Sequence, residues 1–133
     1  MKMVREFEGK DDAALRERVG AHVKKVNGRY YEAFAVEVEE ELVGCLSLYQ
    51  RTASVVSLGV EIFTAHRGKG HGTRAVLEGL RIAGERGFAV VMDQVNTDNA
   101  ASLALHRKAG FQCDGYVYKN QKGHDVTLWL KVL

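Results

Sequence analysis

The chain contains no proline, which removes the simplest turn marker and leaves glycine and Asn/Asp to punctuate it. Cysteine is nearly absent as well. Cys45 and Cys113 have no CxxC partner and no metal-ligand spacing, so a disulfide framework and a metal site are both excluded. That usage points to a reducing cytoplasm, with both thiols acting as small buried apolar side chains. No apolar run approaches the roughly 20 residues that a membrane helix needs. The first residues, Met1-Lys2-Met3-Val4-Arg5-Glu6-Phe7, carry charge where a signal peptide requires an apolar stretch. A formal charge of +2 is too small to argue for nucleic acid as the main partner. What is left is one domain over residues 1–133, large enough for a single core.

Hydrophobic periodicity divides the chain without linkers, repeats or low-complexity segments. Met3 to Phe7 alternates weakly as a first strand. Asp11 or Asp12 caps a helix that runs to about Val26 and stops at Asn27-Gly28. Glu32 to Val38 and Leu42 to Tyr49 form a hairpin around the charged tip Glu39-Glu40-Glu41. Val55 to Phe63 is a further strand. A helix follows with apolar residues at Val76, Leu77, Leu80 and Ala83, ending near Gly87. Phe88 to Met92 reads as a strand buried on both faces. A short helix starts at Asn99 and stops at Gly110, and Phe111–Lys119 with Asp125–Leu133 form a terminal hairpin about Asn120-Gln121-Lys122-Gly123. The strand–helix–strand unit over 55 to 92 requires a parallel pair with a right-handed crossover, while the rest favours antiparallel pairing. The sheet is therefore expected to be mixed.

The most informative segment is Arg67-Gly68-Lys69-Gly70-His71-Gly72-Thr73, between a strand and a helix. Glycines let the main chain approach a ligand closely, and a helix start offers unpaired N–H groups to an anion. A nucleoside-triphosphate loop needs GxxxxGK[ST], and here no Gly-Lys is followed by Ser or Thr. A dinucleotide fingerprint needs GxGxxG, and Gly68-x-Gly70-x-Gly72 has the wrong spacing. Arg67-x-x-Gly70-x-Gly72 remains, as a phosphate cradle of a third kind.

A second segment, Asn99-Ala100-Ala101-Ser102-Leu103-Ala104-Leu105-His106-Arg107-Lys108-Ala109-Gly110-Phe111, follows the next strand. Together the two resemble the GCN5-related N-acetyltransferase (GNAT) superfamily. That family carries R/Q-x-x-G-x-G/A and then, after one helix and one strand, N-x-x-(A/S)-x-x-x-(Y)-x-K-x-G-F. Asn99, Ser102, Lys108, Gly110 and Phe111 fit the second pattern. The resemblance implies an α/β fold, a single domain with a mixed, splayed sheet of about seven strands and roughly three or four helices.

It also implies acetyl-CoA as co-substrate and no metal. The pyrophosphate would rest on the N–H groups of Gly68, Gly70, Gly72 and Thr73, with Arg67, Lys69 and His71 alongside. Ile62 and Thr64 would supply main-chain groups to the pantetheine and thioester, and Asn99 would both cap its helix and bind the cofactor. An N–H near Ile62 would stabilise the oxyanion. Thr64 stands where the family often has proline. His106 stands where it usually has Tyr, and a histidinium there could protonate the leaving thiolate. Glu61 is the first candidate for the base that deprotonates the amine, with Asp93 second.

The expected reaction is direct transfer of acetyl from acetyl-CoA to a primary amine, small molecule or peptide, in a ternary complex. Neither cysteine is poised beside the cradle to carry an acetyl group. The alternative is a catalytically silent acyl-CoA sensor in which His106 marks lost catalysis. The expected partners are acetyl-CoA and the amine, with no nucleic acid or membrane, and a homodimer is left open.

Overall fold

The computed structural model describes residues 2–5 and 29–133. The strands are β1 (Lys2–Arg5), β2 (Tyr31–Val38), β3 (Glu41–Gln50), β4 (Val55–Ile62), β5 (Val90–Asn96), β6 (Tyr118–Lys119) and β7 (Asp125–Val132). The helices among the described residues are α1 (His71–Glu85) and α2 (Ala100–Lys108), with a 3-10 turn over Thr64–His66. This is fewer than the three or four helices expected, and the helix read from Asp11 or Asp12 to Val26 lies outside the described residues. The strands form one sheet in the order β1-β2-β3-β4-β5-β7-β6. Among the described residues only β4 and β5 pair in parallel, across the α1 crossover, and the other pairs are antiparallel.

Helix α1 explains where the core sits. Ala75, Val76, Gly79, Leu80, Ile82 and Ala83 are its buried residues, spaced to form one apolar face. That face packs with Val36, Leu46, Leu58, Val91 and Trp129 from the sheet. Each fully buried Leu or Val contributes about 1.5–3 kcal/mol. At Gly79 the helix lies so close to the sheet that a Cβ would meet Leu46 Cδ1 at 2.9 Å. Gly87, with φ 87, ends the helix in the left-handed conformation and returns Phe88 to the core.

Two expected strands are corrected. The run from Phe88 does not give a strand buried on both faces: β5 begins at Val90, and of its residues only Val91 and Val95 are fully buried. The stretch Phe111–Lys119 is not one strand either. Gln112 makes an isolated bridge to Leu130 and only Tyr118–Lys119 pair with β7, so residues 113–117 leave the sheet. The cysteines also differ from expectation, since both are half-buried thiols.

A polar staple ties α1 to the sheet. Glu32 on β2 is 4% exposed, takes the Tyr30 hydroxyl, and accepts Arg86 Nε at 2.5 Å and Nη2 at 3.3 Å. Burial, followed by the bond to Glu32, pushes the Tyr30 phenol well above its ordinary value. Arg86→Ala is expected to destabilise the fold by about 2 kcal/mol, less than for a fully buried pair because part of Arg86 remains in water. Urea unfolding with an unchanged m-value would check this.

Candidate active site

Strands β4 and β5 stay paired only from Val55↔Val90 to Ser57↔Met92. Beyond that rung β5 continues against β7 and β4 continues against β3, so the edge of β4 that faced β5 is open. The Phe63 N–H donates to the Val43 carbonyl at 2.9 Å. Antiparallel rungs alternate between bonded and non-bonded, so the Gly44↔Ile62 rung is non-bonded and the Ile62 N–H and C=O point away from β3, into the opening. The Ile62 carbonyl there accepts Arg67 Nε at 2.8 Å.

Gly44 permits this geometry. A Cβ on it would lie 2.1 Å from the Glu61 carbonyl oxygen and 3.0 Å from Ile62 Cα. The β2–β3 register also slips between Val36 and Glu37, beside Gly44, and such a bulge increases local twist.

The loop after β4 turns through Thr64–His66 and reaches α1 by Gly68 (φ 78) and Gly70 (φ 80), both left-handed, with open space where a Cβ would stand. Gly70 is the N-cap of α1 and offers no side-chain cap, and the first turn holds no acidic residue. The leading N–H groups and the positive end of the helix are therefore available to an anion. Gly72 also matters for packing: its missing Cβ would meet Leu105 Cδ1 at 2.7 Å, so it lets the start of α1 close against α2. His71 Nδ1 is buried without a hydrogen-bond partner among the described residues.

Helix α2 makes the opposite wall. Asn99 caps it by accepting the Ser102 N–H at 3.0 Å. The cleft between is about 360 Å³. Of the residues expected from the sequence, Glu61, Ile62, Arg67, Gly68, Gly70, His71, Gly72, Thr73 and Asn99 line it. Thr64 and Lys69 do not: both are exposed, with Thr64 opening the 3-10 turn and Lys69 lying between the two left-handed glycines. Lys108, which fits the second motif, lines the cleft as well, but the sequence reading missed the α2 face made by Ala101, Ala104 and Leu105, although its i, i+3, i+4 spacing was visible. It also missed Ser102 and His66 as lining residues. No tyrosine lines this cleft; Tyr116 and Tyr118 stack on each other 6.2 Å apart, and Tyr30 packs on Phe88. A wider hollow of about 990 Å³ lies beyond α2, between Leu103, Arg107, Phe111, Cys113 and Trp129. It has no glycine loop and no helix N-terminus, so the smaller cleft is the candidate.

His106 lies beneath the cleft wall rather than in it. Its ring is fully buried, set edge-on to Phe111 at 4.9 Å and against Trp129 at 6.0 Å. Nδ1 is 2.7 Å from the Ser102 carbonyl and Nε2 is 2.8 Å from Asp93 Oδ2. A carbonyl can only accept, so Nδ1 carries hydrogen, and a second proton must lie between Nε2 and the carboxylate. Burial works to lower the His106 pKa, but the bonds to Asp93 and to the Ser102 carbonyl outweigh it and the net shift is upward. Burial pushes the Asp93 carboxyl up, against the pull of His106.

Both shifts mean that the folded pair holds its proton more tightly than the unfolded chain. Its stabilising contribution is present below the ordinary histidine value of about 6.5 and is lost as pH rises through the raised His106 value. Asp93→Asn should bring the His106 titration below about 6.5, because burial then acts without the carboxylate. Proton NMR of the imidazole would measure it; an unmoved midpoint would show that Asp93 does not hold the proton.

Among the described residues no cluster suits a metal ion, and no helix is long and apolar enough to cross a membrane. The model of the Acetyltransferase (GNAT) family matches residues 3–111. A ribosomal-protein-alanine N-acetyltransferase from Brucella melitensis is similar in structure, with a TM-score of 0.72 and 25% identity over 95% of this chain and 82% of its own. An acetyltransferase from Bacillus subtilis in complex with CoA gives a TM-score of 0.76 at 16% identity, covering 99% of both chains. The ribosomal L7/L12 alpha-N-protein acetyltransferase RimL, in complex with coenzyme A, gives 0.77 at 18% identity over 93% of this chain and 74% of its own. No curated protein matches the chain significantly.

Proposed function

The chain belongs to the acetyltransferase (GNAT) family, and from that premise we propose that it transfers acetyl from acetyl-CoA to a primary amine by direct attack in a ternary complex. The observation that carries this reading is the opening of β4 onto the glycine cradle. The unpaired edge at Ile62 runs directly into a loop with two left-handed glycines and an uncapped helix start. The residues fit the co-substrate. The cradle has room where Cβ atoms would stand, its helix start lacks an acidic residue, and the buried His71 Nδ1 has no hydrogen-bond partner among the described residues. Gly68, Gly70, Gly72 and Thr73 would hold the pyrophosphate with their N–H groups, Arg67 would add charge, and Asn99 would bind from α2. Ile62 would pair with the pantetheine as an added strand does.

Bound there, acetyl-CoA supplies the activated acetyl group. Glu61 lines the same cleft and is the proposed base, since only a neutral amine is a nucleophile. The ribosomal-protein acetyltransferases among the similar structures make an N-terminal peptide a natural acceptor to try beside small amines. The test is thiol release from acetyl-CoA across an amine and peptide panel. Release that depends on the amine supports the reading. Tight coenzyme A binding with no turnover on any acceptor would support a sensor instead.

A further inference from the structure

The face of the sheet turned away from α1 carries a row of polar groups that leads to Glu61. Along β3 and β4 the side chains alternate between the two faces. Leu46, Leu48, Val56 and Leu58 belong to the core under α1. Cys45, Ser47, Tyr49, Ser57 and Glu61 therefore stand on the reverse face, where all five are half-buried. Register sets their order, with Cys45 opposite Glu61 and Tyr49 opposite Ser57. Glu61 ends the row where β4 has parted from β5 and the cleft begins. The Tyr49–Ser57 rung lies roughly 13 Å down the strand, at a rise of about 3.3 Å per residue.

Two arginines converge on that far end. Arg51 follows β3 and folds back over this face: its Nε donates to Ser57 Oγ at 2.7 Å, and its guanidinium carbon lies 5.0 Å from the Tyr49 ring centroid. Arg29 Nη1 reaches the Tyr49 hydroxyl at 3.5 Å. Neither guanidinium meets a carboxylate among the described residues. Two like charges gathered about one phenol repel, and an anion between them relieves that repulsion. The Ser57 bond uses only Nε, so both Nη groups of Arg51 remain to grip a carboxylate. Because the side chain is already posed, that grip costs less ordering.

We propose that the acceptor is a primary amine bearing a carboxylate about 13 Å from its nitrogen, with the amine at Glu61 and the carboxylate on Arg51 and Arg29. The proposal rests on the acetyl-transfer reading above and names the class of acceptor. A short peptide meets the requirement, since an extended chain spans about 3.3–3.6 Å per residue and four residues cover the row. The row is acidic at the amine end and basic at the other, so a zwitterion docks in one direction only.

The experiment measures kcat/KM for tetraalanine, its C-terminal amide and dialanine, with wild type and Arg51→Gln. Wild type should prefer tetraalanine to the amide by about tenfold, the scale of a charge-assisted hydrogen bond. Dialanine carries the same charges but is too short, and should fall to the level of the amide. In Arg51→Gln the acid-to-amide ratio should drop to within about twofold, with the calorimetric Kd for coenzyme A showing that the variant is folded. Added salt should shrink the wild-type ratio too. The peptide Ala-Ala-Glu-Ala amide separates a side-chain carboxylate from a terminal one, and a preference for either charged peptide over tetraalanine amide supports the proposal. Four results would each overturn it and leave acetyl transfer standing: equal turnover of charged and amide peptides, a ratio unchanged in Arg51→Gln, dialanine matching tetraalanine, or acetylation of small amines and of none of the peptides. Failure to acetylate any amine would overturn both.

Discussion

Gly70→Asp is expected to weaken coenzyme A binding by at least a hundredfold, about 2.7 kcal/mol, while leaving the protein folded. The fold survives because a Cβ at this position meets nothing within 4 Å. The remaining strain is the φ of 80, which costs about 1 kcal/mol for a non-glycine residue and less for Asp, which tolerates that region. Asp is also a favoured N-cap, which offsets part of that strain. The new carboxylate would stand at the uncapped start of α1, where the pyrophosphate is proposed to rest, and its charge would oppose the ligand's. Calorimetric titration reads the loss, and Gly70→Ala separates bulk from charge, since it should bind far better than the Asp variant. Retained affinity in Gly70→Asp would remove the pyrophosphate from this loop.

The second large effect belongs to Gly44→Ala. Its Cβ would sit 2.1 Å from a backbone oxygen of β4, where no side-chain rotation can relieve the contact. Either β3 or the Glu61–Ile62 segment must move, at an expected cost of about 3 kcal/mol, the upper end of overpacking. Displacing that segment also turns the Ile62 N–H from its aim, so turnover should fall by at least about a hundredfold, as when a backbone oxyanion donor is lost. Gly59→Ala in β4 is the matched control, because its Cβ would meet only the Ser47 hydroxyl, at 3.0 Å. It should keep most of both stability and turnover. Equal behaviour of the two variants would show that Gly44 is an ordinary sheet glycine.

What could be read from the sequence follows the range of the interactions involved. The glycine cradle, the Asn99 cap and the apolar stripe of α1 depend on neighbours a few residues away, and their positions were recognisable from spacing. The β2–β3 hairpin was legible for the same reason, although Glu39 and Glu40 both take positive φ, where Gly or Asn is usual. The demand for glycine at position 44 arises from a register partner 18 residues away, Ile62, and nothing local marks it. His106 was placed beside the sulfur because it occupies the family's tyrosine position. Its burial is set by Asp93, Phe111 and Trp129, which only the assembled sheet brings together. The early end of the Phe111–Lys119 strand was hidden by an alternating pattern that fits a strand, while the backbone pairs at only two places.

The most direct test of the account is the mass of the amine after incubation with acetyl-CoA and the wild-type protein. Acetyl transfer predicts that an amine from the panel gains one acetyl group, in step with thiol release, and that Gly70→Asp abolishes the gain. Thiol release at the same rate with and without amine, and no acetylated product, would contradict it.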